Sequence, residues 1–292
     1  MGGQVSAFWT GSRVWRGLPR HAKFLANKEV RMKIGLAGWA INRRFRAKEN
    51  PLKLLDFFRV AREEFGLDTV ELNSPFMASR EPDYLKAVVQ AAKDAGVTME
   101  GMAVDGSGDL SLLDEAKRAQ SVQNAMAFFD VAERLGLKYF RVNTGGDPKG
   151  PPQMLDACIA SFRQLAEEGQ RRGIQIVTEN HGGLSTDADM MVKLVKGVGL
   201  PSMGTLPDFG NFPEPVLIES LWKIMPYAAA CHAKWTRRDA PGKRDIPAIM
   251  KMVKQSGFNG TVFVEDGGPT NDHIGTLELK GALMACVNSA VV

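Results

Sequence analysis

The stretch YFRVNTGGDPKGPPQMLDACIASFRQLAEEGQRRGIQIVTE, residues 139–179, contains one full period of a pattern that recurs along the chain. Its two ends, Tyr139–Asn143 and Ile174–Glu179, are short runs rich in apolar residues and are predicted to be strands. The longer segment 152–171 is predicted to be a helix, with Pro152 at the early helical position where proline is tolerated. A strand, a helix and a second strand in this order predict two parallel strands joined by a crossover helix.

The same alternation of short apolar runs and longer helical segments occurs eight times after residue 32. The predicted strands are Lys33–Trp39, Asp68–Leu72, Thr98–Val104, Tyr139–Asn143, Ile174–Glu179, Met203–Asp208, Ala229–Lys234 and Thr261–Glu265. The predicted helices lie near 51–65, 82–95, 111–135, 152–171, 186–196, 214–225, 245–256 and 272–287. Eight such units in about 260 residues are typical of a single (β/α)8 barrel, the TIM barrel. An open doubly wound sheet is the alternative, but it usually has fewer strands, and no Gly-x-Gly-x-x-Gly motif follows the first strand.

The composition excludes several classes of protein. Hydrophobic residues make up 44% and charged residues 24% of the 292 residues, which is typical of a soluble globular protein and not of a disordered or fibrous one. The sequence has no run of about 18 apolar residues, so we expect no membrane span. The three cysteines are too few and too scattered for a disulfide framework or a zinc ribbon, which favours a cytoplasmic location.

Basic charge is concentrated at the N-terminus. Residues 1–31 hold six Lys or Arg residues and one acidic residue, Glu29, whereas the whole chain has a formal net charge of +4. The remainder of the chain is therefore slightly acidic, and we expect no nucleic-acid partner. We interpret residues 1–31 as a mobile, dispensable N-terminal extension and residues 32–292 as one barrel domain. The sequence leaves open whether the protein forms a homo-oligomer.

Four consecutive predicted strands carry a metal-binding type of side chain near their C-terminal ends. The four residues are Glu179, Asp208, His232 and Glu265. Active sites of (β/α)8 barrels lie on the C-terminal face of the strands, so we expect these side chains to converge. Three carboxylates and one imidazole suit Mn²⁺ or Mg²⁺, with Co²⁺ or Zn²⁺ as alternatives. A divalent cation would also offset the repulsion among the three carboxylates.

Four short motifs surround these side chains, which are spaced by 29, 24 and 33 residues. The motifs are Thr178-Glu179-Asn180-His181, Pro207-Asp208-Phe209-Gly210, Cys231-His232-Ala233-Lys234 and Val264-Glu265. In this order they resemble the xylose isomerase-like TIM barrel superfamily of sugar phosphate isomerases and epimerases. That superfamily includes ketohexose 3-epimerases, hydroxypyruvate isomerase and inosose dehydratase. The resemblance covers residues 32–288.

The resemblance implies that Glu179, Asp208, His232 and Glu265 bind one divalent ion, for which we expect Mn²⁺. It also implies that Glu179 and Glu265 are catalytic and move a proton of a small carbohydrate substrate. A metal that polarises the carbonyl of an α-hydroxyketone stabilises the enediolate formed when the neighbouring carbon loses its proton. Return of the proton on the other face epimerises the sugar, and return at the neighbouring carbon isomerises it.

Six further residues are candidates for substrate binding: Trp39, Glu71, Arg141, His181, Asn211 and Lys234. Trp39 is expected to stack on a sugar face, Arg141 to bind an anionic group, and His181 to contact the substrate or act as an acid. The 3-epimerases usually have a histidine at the position of Asn211, which departs from their pattern. Lys234 resembles a lysine of the dehydratase-like members.

These observations predict a metal-dependent isomerase or epimerase of a sugar or sugar phosphate. The alternative is a metal-dependent dehydratase or lyase that acts on an inosose or keto-sugar, including cleavage of a C-glycoside. A zinc AP endonuclease shares the fold but binds its zinc ions through many histidines, and this chain has only four. A barrel that binds a metal or ligand without catalysis is a further, less favoured interpretation.

Overall fold

The computed structural model describes residues 32–237, 239, 241–268 and 271–289. The predicted N-terminal extension, residues 1–31, lies outside the described residues. The strands are β1 (Lys33–Ala37), β2 (Thr69–Asn73), β3 (Thr98–Ala103), β4 (Tyr139–Arg141), β5 (Gln175–Glu179), β6 (Met203–Leu206), β7 (Cys231–Ala233) and β8 (Thr261–Val264).

These eight strands form one parallel sheet that closes on itself almost completely. Neighbours in the sheet follow the chain order, and β1 lies between β2 and β8. The gap between β6 and β7 is spanned by isolated parallel bridges, which pair Thr205 with Ala228 and Asp208 with His232. The predicted single (β/α)8 TIM barrel is therefore confirmed.

Helices lie between the strands. Within the described residues they are α1 (Asn42–Phe45), α2 (Leu54–Glu63), α3 (Pro82–Asp94), α4 (Glu115–Met126), α5 (Phe128–Leu135), α6 (Gln153–Arg172), α7 (Ala188–Val198), α8 (Leu217–Ile224), α9 (Ile246–Gln255) and α10 (Asp272–Asn288). The single helix predicted over 111–135 is in fact two helices that meet at Ala127, because the polar α4 packs on α6 while the apolar α5 packs on α3. In this part of the chain, none of the helices has both the length and the apolar character that a membrane span requires.

Successive side chains along each strand point alternately into the barrel and toward the surrounding helices. Val177 and Phe263 belong to a small buried cluster in the barrel interior, while a much larger apolar cluster fills the space between strands and helices. Glu179 follows Val177 by two residues and Glu265 follows Phe263 by two, so both glutamates point to the same side as the interior cluster. The strand period thus directs these carboxylates inward at the C-terminal end of the barrel.

Candidate metal centre

Four side chains from consecutive strands converge at the C-terminal end of the barrel. Glu179 ends β5, and the other three, Asp208, His232 and Glu265, lie on or shortly after β6, β7 and β8. One potential ligand atom from each lies within 4.8 Å of the others, and all four residues are buried. The structure thus brings together the residues that the sequence analysis selected as metal ligands.

Hydrogen bonds between neighbouring strand ends hold Asp208 in place. The Asn180 side chain accepts a bond from the backbone N–H of Asp208 at 2.7 Å and donates one to its carbonyl oxygen at 3.0 Å. The backbone N–H of Gly210 donates to Asp208 Oδ1 at 2.7 Å. The backbone thus holds Oδ1 of this carboxylate, while Oδ2 lies beside Lys234 in the cluster.

Each of the four residues has a buried side-chain atom that makes no hydrogen bond: Glu179 Oε2, Asp208 Oδ2, His232 Nδ1 and Glu265 Oε2. Buried polar atoms are nearly always hydrogen-bonded, so four such atoms at one place call for a partner of another kind. Charged neighbours are close but poorly aligned; His232 Nδ1, for example, lies 2.9 Å from Glu265 Oε2. A cation bound by these atoms would satisfy all of them, so the residues fit a divalent metal ion.

The formal charges of the cluster support the same conclusion. The buried carboxylates in and beside it are Glu71, Glu179, Asp208 and Glu265, and the neighbouring cations are Arg141 and Lys234. Four carboxylates against two cations leave −2 when every carboxylate is ionised and His232 is neutral, which is the protonation state that binds a metal ion. Uncompensated charge is costly in a buried environment, and one divalent cation cancels this excess.

Lys234 extends its ammonium group into the cluster. Its Nζ lies 2.7 Å from Asp208 Oδ2 and 3.0 Å from Glu265 Oε2. Burial opposes the charged form, but these carboxylates outweigh it and hold the pKa of Lys234 above its ordinary value. The side chain is 16% exposed, so it is a cation at the boundary between the cluster and the barrel mouth.

Arg141 lies inside the barrel and not on its rim. Its Nε is 3.2 Å from Glu179 Oε2, and its Nη1 donates to Asp105 Oδ1 at 2.7 Å and to the carbonyl oxygen of Val104 at 3.1 Å. Burial disfavours ionised Glu179, but Arg141 and the other nearby cations outweigh it and hold the pKa of Glu179 well below its ordinary value. The guanidinium thus pairs with both Glu179 and Asp105, and its expected contact with an anionic group of the substrate stays a prediction.

The environment separates the pKa values of neighbouring groups. Burial raises the pKa of Asp208 to about 8; Lys234 opposes this shift and Glu265 adds to it. Burial also disfavours ionised Glu265, but His232 and Lys234 outweigh it and lower the pKa of Glu265 to about 2. Burial favours neutral His232, yet the nearby carboxylates raise its pKa well above the ordinary value. The metal-free cluster therefore retains protons that a bound metal ion has to displace.

Glu71 contacts the imidazole of His232 at Nε2, and Tyr139 in turn contacts Glu71. Glu71 Oε2 lies 2.6 Å from His232 Nε2, and the Tyr139 hydroxyl donates to Glu71 Oε1 at 2.7 Å. All three side chains are buried. A carboxylate beside one imidazole nitrogen fixes the proton there and leaves the other nitrogen as a ligand, which here is Nδ1.

This contact departs from the expected substrate contact of Glu71, because both of its oxygens are engaged inside the barrel. Tyr139 was not among the site residues predicted from the sequence. Its signal was the strand period, since Tyr139 and Arg141 are two residues apart on β4 and therefore point to the same side.

The other predicted contacts are divided between the cluster and its mouth. Trp39 and Lys234 line a cavity of about 230 Å³ that also reaches Glu265. Asn211 donates its side-chain N–H to Glu179 Oε1 at 3.0 Å, so it is a partner of the cluster. His181 is partly exposed in the loop after β5, with its backbone N–H bonded to the carbonyl oxygen of Glu179.

Comparison with protein families gives one match. The model of the family described as xylose isomerase-like TIM barrel matches residues 58–280. No curated protein matches the sequence.

Several solved structures share the fold at low sequence identity. A 3-keto-D-glucoside 4-epimerase from E. coli is 17% identical, with a TM-score of 0.70, and the similarity covers 87% of this chain and 100% of that chain. An L-ribulose 3-epimerase is 14% identical, with a TM-score of 0.73 and coverage of 88% and 94%. A xylose isomerase-like TIM barrel protein from Mycobacterium smegmatis, crystallised with magnesium, is 18% identical, with a TM-score of 0.68 and coverage of 89% and 98%.

Proposed function

The chain belongs to the xylose isomerase-like TIM barrel family, and from this premise we propose that it is a divalent-metal-dependent isomerase or epimerase of a small carbohydrate. The observation that carries the proposal is the buried cluster of three carboxylates and one imidazole, in which each residue has a buried atom that makes no hydrogen bond. Sugar epimerases with the same fold over most of their length support the substrate class.

Glu179, Asp208, His232 and Glu265 would bind one ion. Three oxygen donors and one nitrogen donor suit Mn²⁺, which we expect, and Mg²⁺, Co²⁺ or Zn²⁺ are the alternatives. The similar barrel protein that was crystallised with magnesium supports a divalent ion of this kind. When bound, the ion would polarise the carbonyl group of an α-hydroxyketone and favour loss of the neighbouring proton as an enediolate forms.

Glu179 and Glu265 are assigned to proton transfer. Both have a pKa below the ordinary value of a glutamate, so both are ionised at neutral pH and can accept a proton. Arg141 and Asn211 orient Glu179 through contacts of 3.2 and 3.0 Å. One glutamate would remove the proton beside the carbonyl. Return of a proton to the same carbon from the other face gives an epimer, and return of a proton to the adjacent carbon gives an isomer.

A dehydratase or lyase is the second candidate, and the position of Lys234 favours it. The ammonium group lies 3.0 Å from Glu265, and both residues line the same cavity. It could therefore donate a proton to an oxygen that leaves from the β-position. The first step would be the same proton removal, and an inosose, a keto-sugar or a C-glycoside of a keto-sugar carries the carbonyl group that this step needs.

A panel of ketoses and inososes, incubated with the Mn²⁺-loaded protein, distinguishes the two candidates. An isomer or epimer supports the first, and a dehydrated or cleaved product supports the second. In deuterated water, both predict deuterium at the carbon beside the carbonyl. A protein that binds Mn²⁺ but gives neither product nor exchange with any sugar would contradict both.

A further inference from the structure

A second, larger cavity adjoins the one at the metal centre. Its volume is about 490 Å³, and it lies between the loop after β7 and the first turns of α10. It shares Thr236, Gly267 and Gly268 with the 230 Å³ cavity that reaches Lys234 and Glu265. A molecule bound at the metal centre can therefore extend from the smaller cavity into the larger one.

Apolar groups dominate the walls of the larger cavity. Trp235 and Ile274 provide large apolar side chains, and Ile274 is 55% exposed. Exposed large apolar surface that lines a concave site commonly marks a place where an apolar group binds. The metal centre needs no such surface for the oxygen-rich part of a sugar.

The charged residues at this cavity are paired with each other. Lys243 Nζ lies 3.5 Å from Glu278 Oε2 and 4.4 Å from the centre of the Trp235 ring, and the side chains of Lys243 and Glu278 are both more than half exposed. An exposed ion pair leaves both charges solvated and contributes little on its own. The two opposite charges offset each other, so these lining residues carry no net charge to attract a charged ligand, which argues for a neutral occupant.

Close backbone packing shapes the wall next to α10. A Cβ atom on Gly275 would lie 2.1 Å from the carbonyl oxygen of Gly267, so the loop after β8 rests directly on the helix backbone. Gly268 has φ +73°, a conformation that favours glycine. Glycine at these positions therefore allows the loop after β8 and the helix to approach closely, and this contact forms one wall of the cavity.

The volumes of the two cavities indicate the size of the ligand that they hold together. The cavity at Lys234 and Glu265 alone is smaller than the range of about 300–1,000 Å³ that is usual for ligand pockets, whereas the two cavities together fall within it. We propose that the larger cavity is a subsite for the neutral, apolar or aromatic aglycone of a glycoside, whose sugar ring lies at the metal centre. This inference rests on the proposed carbohydrate function and narrows its substrate from a free sugar to a glycoside with a ketone on its sugar ring, because the glycosidic bond blocks the anomeric carbonyl.

Binding of unreactive glycosides tests the subsite without turnover. With the Mn²⁺-loaded protein, phenyl β-D-glucoside should bind at least about tenfold more tightly than methyl β-D-glucoside in calorimetric titrations, because only the phenyl ring reaches the apolar walls. Equal affinities, or no binding of the phenyl glycoside, would overturn the proposal.

Ile274→Trp places a bulky side chain at the larger cavity and should abolish the preference for the phenyl glycoside while leaving the affinity for the methyl glycoside unchanged. The matched control is Ile218→Trp on α8, because Ile218 is 42% exposed and lines neither cavity. A preference for the phenyl glycoside that survives Ile274→Trp, or that Ile218→Trp also removes, would place the aglycone elsewhere.

Turnover separates this inference from the proposed function. If free ketoses react equally well in wild type and Ile274→Trp and the phenyl ring brings no gain in affinity, the subsite fails while the isomerase stands. If the phenyl preference depends on Ile274 but no sugar reacts, the subsite stands and the isomerase fails.

Discussion

Tyr139→Phe removes one hydroxyl group that holds Glu71 against His232. The hydroxyl donates to Glu71 Oε1 at 2.7 Å, and the other oxygen of Glu71 lies 2.6 Å from His232 Nε2. The phenylalanine ring should keep the position of the tyrosine ring, because the ring lies over Gly101, where a Cβ would be only 2.2 Å away. The change therefore deletes a hydrogen bond with little change in packing.

The expected loss follows from the burial of this contact. A hydrogen bond to a charged group contributes about 1.5–3 kcal/mol, and Glu71 is fully buried, so water does not easily replace the lost donor. At about 2–4 °C for each kcal/mol, the melting temperature should fall by about 3–12 °C. Because the loosened Glu71 no longer fixes the imidazole, the affinity for Mn²⁺ should also fall by about 10–100-fold.

Calorimetry in the presence of a chelator measures the first effect, and competitive titration of Mn²⁺ measures the second. Tyr84→Phe is the matched control, because the Tyr84 hydroxyl accepts only a long, exposed bond of 3.3 Å from the backbone N–H of Ala78. That control should change the stability by less than about 0.5 kcal/mol. An unchanged affinity for Mn²⁺ in Tyr139→Phe would refute the orienting role of Glu71, even if the melting temperature fell.

Four further predictions concern the metal, the proton and the N-terminal segment. Glu179→Gln and Glu265→Gln should each lower turnover by about 10²–10⁴-fold at restored Mn²⁺ content, measured directly; full turnover in both would remove the glutamates from proton transfer. Mn²⁺ at about 100 times its dissociation constant should stabilise the chelator-treated protein by about 2.7 kcal/mol in thermal unfolding, and an identical melting temperature with and without Mn²⁺ would contradict a metal centre. The pKa of Asp208 is raised to about 8 and that of His232 is also raised, so the metal-free protein binds protons more tightly when folded than when unfolded. Its free energy of unfolding should therefore fall from about pH 5 to 8, while its affinity for Mn²⁺ rises. Asp208→Asn should make the free energy of unfolding less dependent on pH, and a free energy that rises over this range would contradict the assignment. A chain that begins at Met32 should keep its melting temperature and activity, and a large fall in either would show that residues 1–31 contribute to the fold.

The period of the sequence was sufficient to predict the barrel. Alternating apolar runs and helical segments require parallel strands with crossover helices, and eight of them in one domain leave few arrangements. The same logic brought Glu179, Asp208, His232 and Glu265 together, because the C-terminal ends of parallel strands meet at one face of the barrel. This part of the candidate site depends on the order of the strands and on the period of two along each strand, and both can be read from the sequence.

Contacts across the barrel interior could not be predicted in this way. The pairing of Arg141 with Glu179 was not predicted, and Glu71 was expected to contact the substrate but contacts His232 and Tyr139. Such contacts join β2, β4, β5 and β7, so they depend on the tilt and register of strands that are far apart in the chain.

The register itself contains an irregularity that the sequence does not reveal. Between β2 and β3 the pairing shifts at Val70 and Glu71, directly where Glu71 turns toward His232. The apolar cavity beside the candidate metal centre likewise requires two loops and the first turns of α10 to meet. Local sequence sets which element a residue belongs to, but the meeting of distant side chains depends on how the closed sheet twists and packs, and only the tertiary structure determines that.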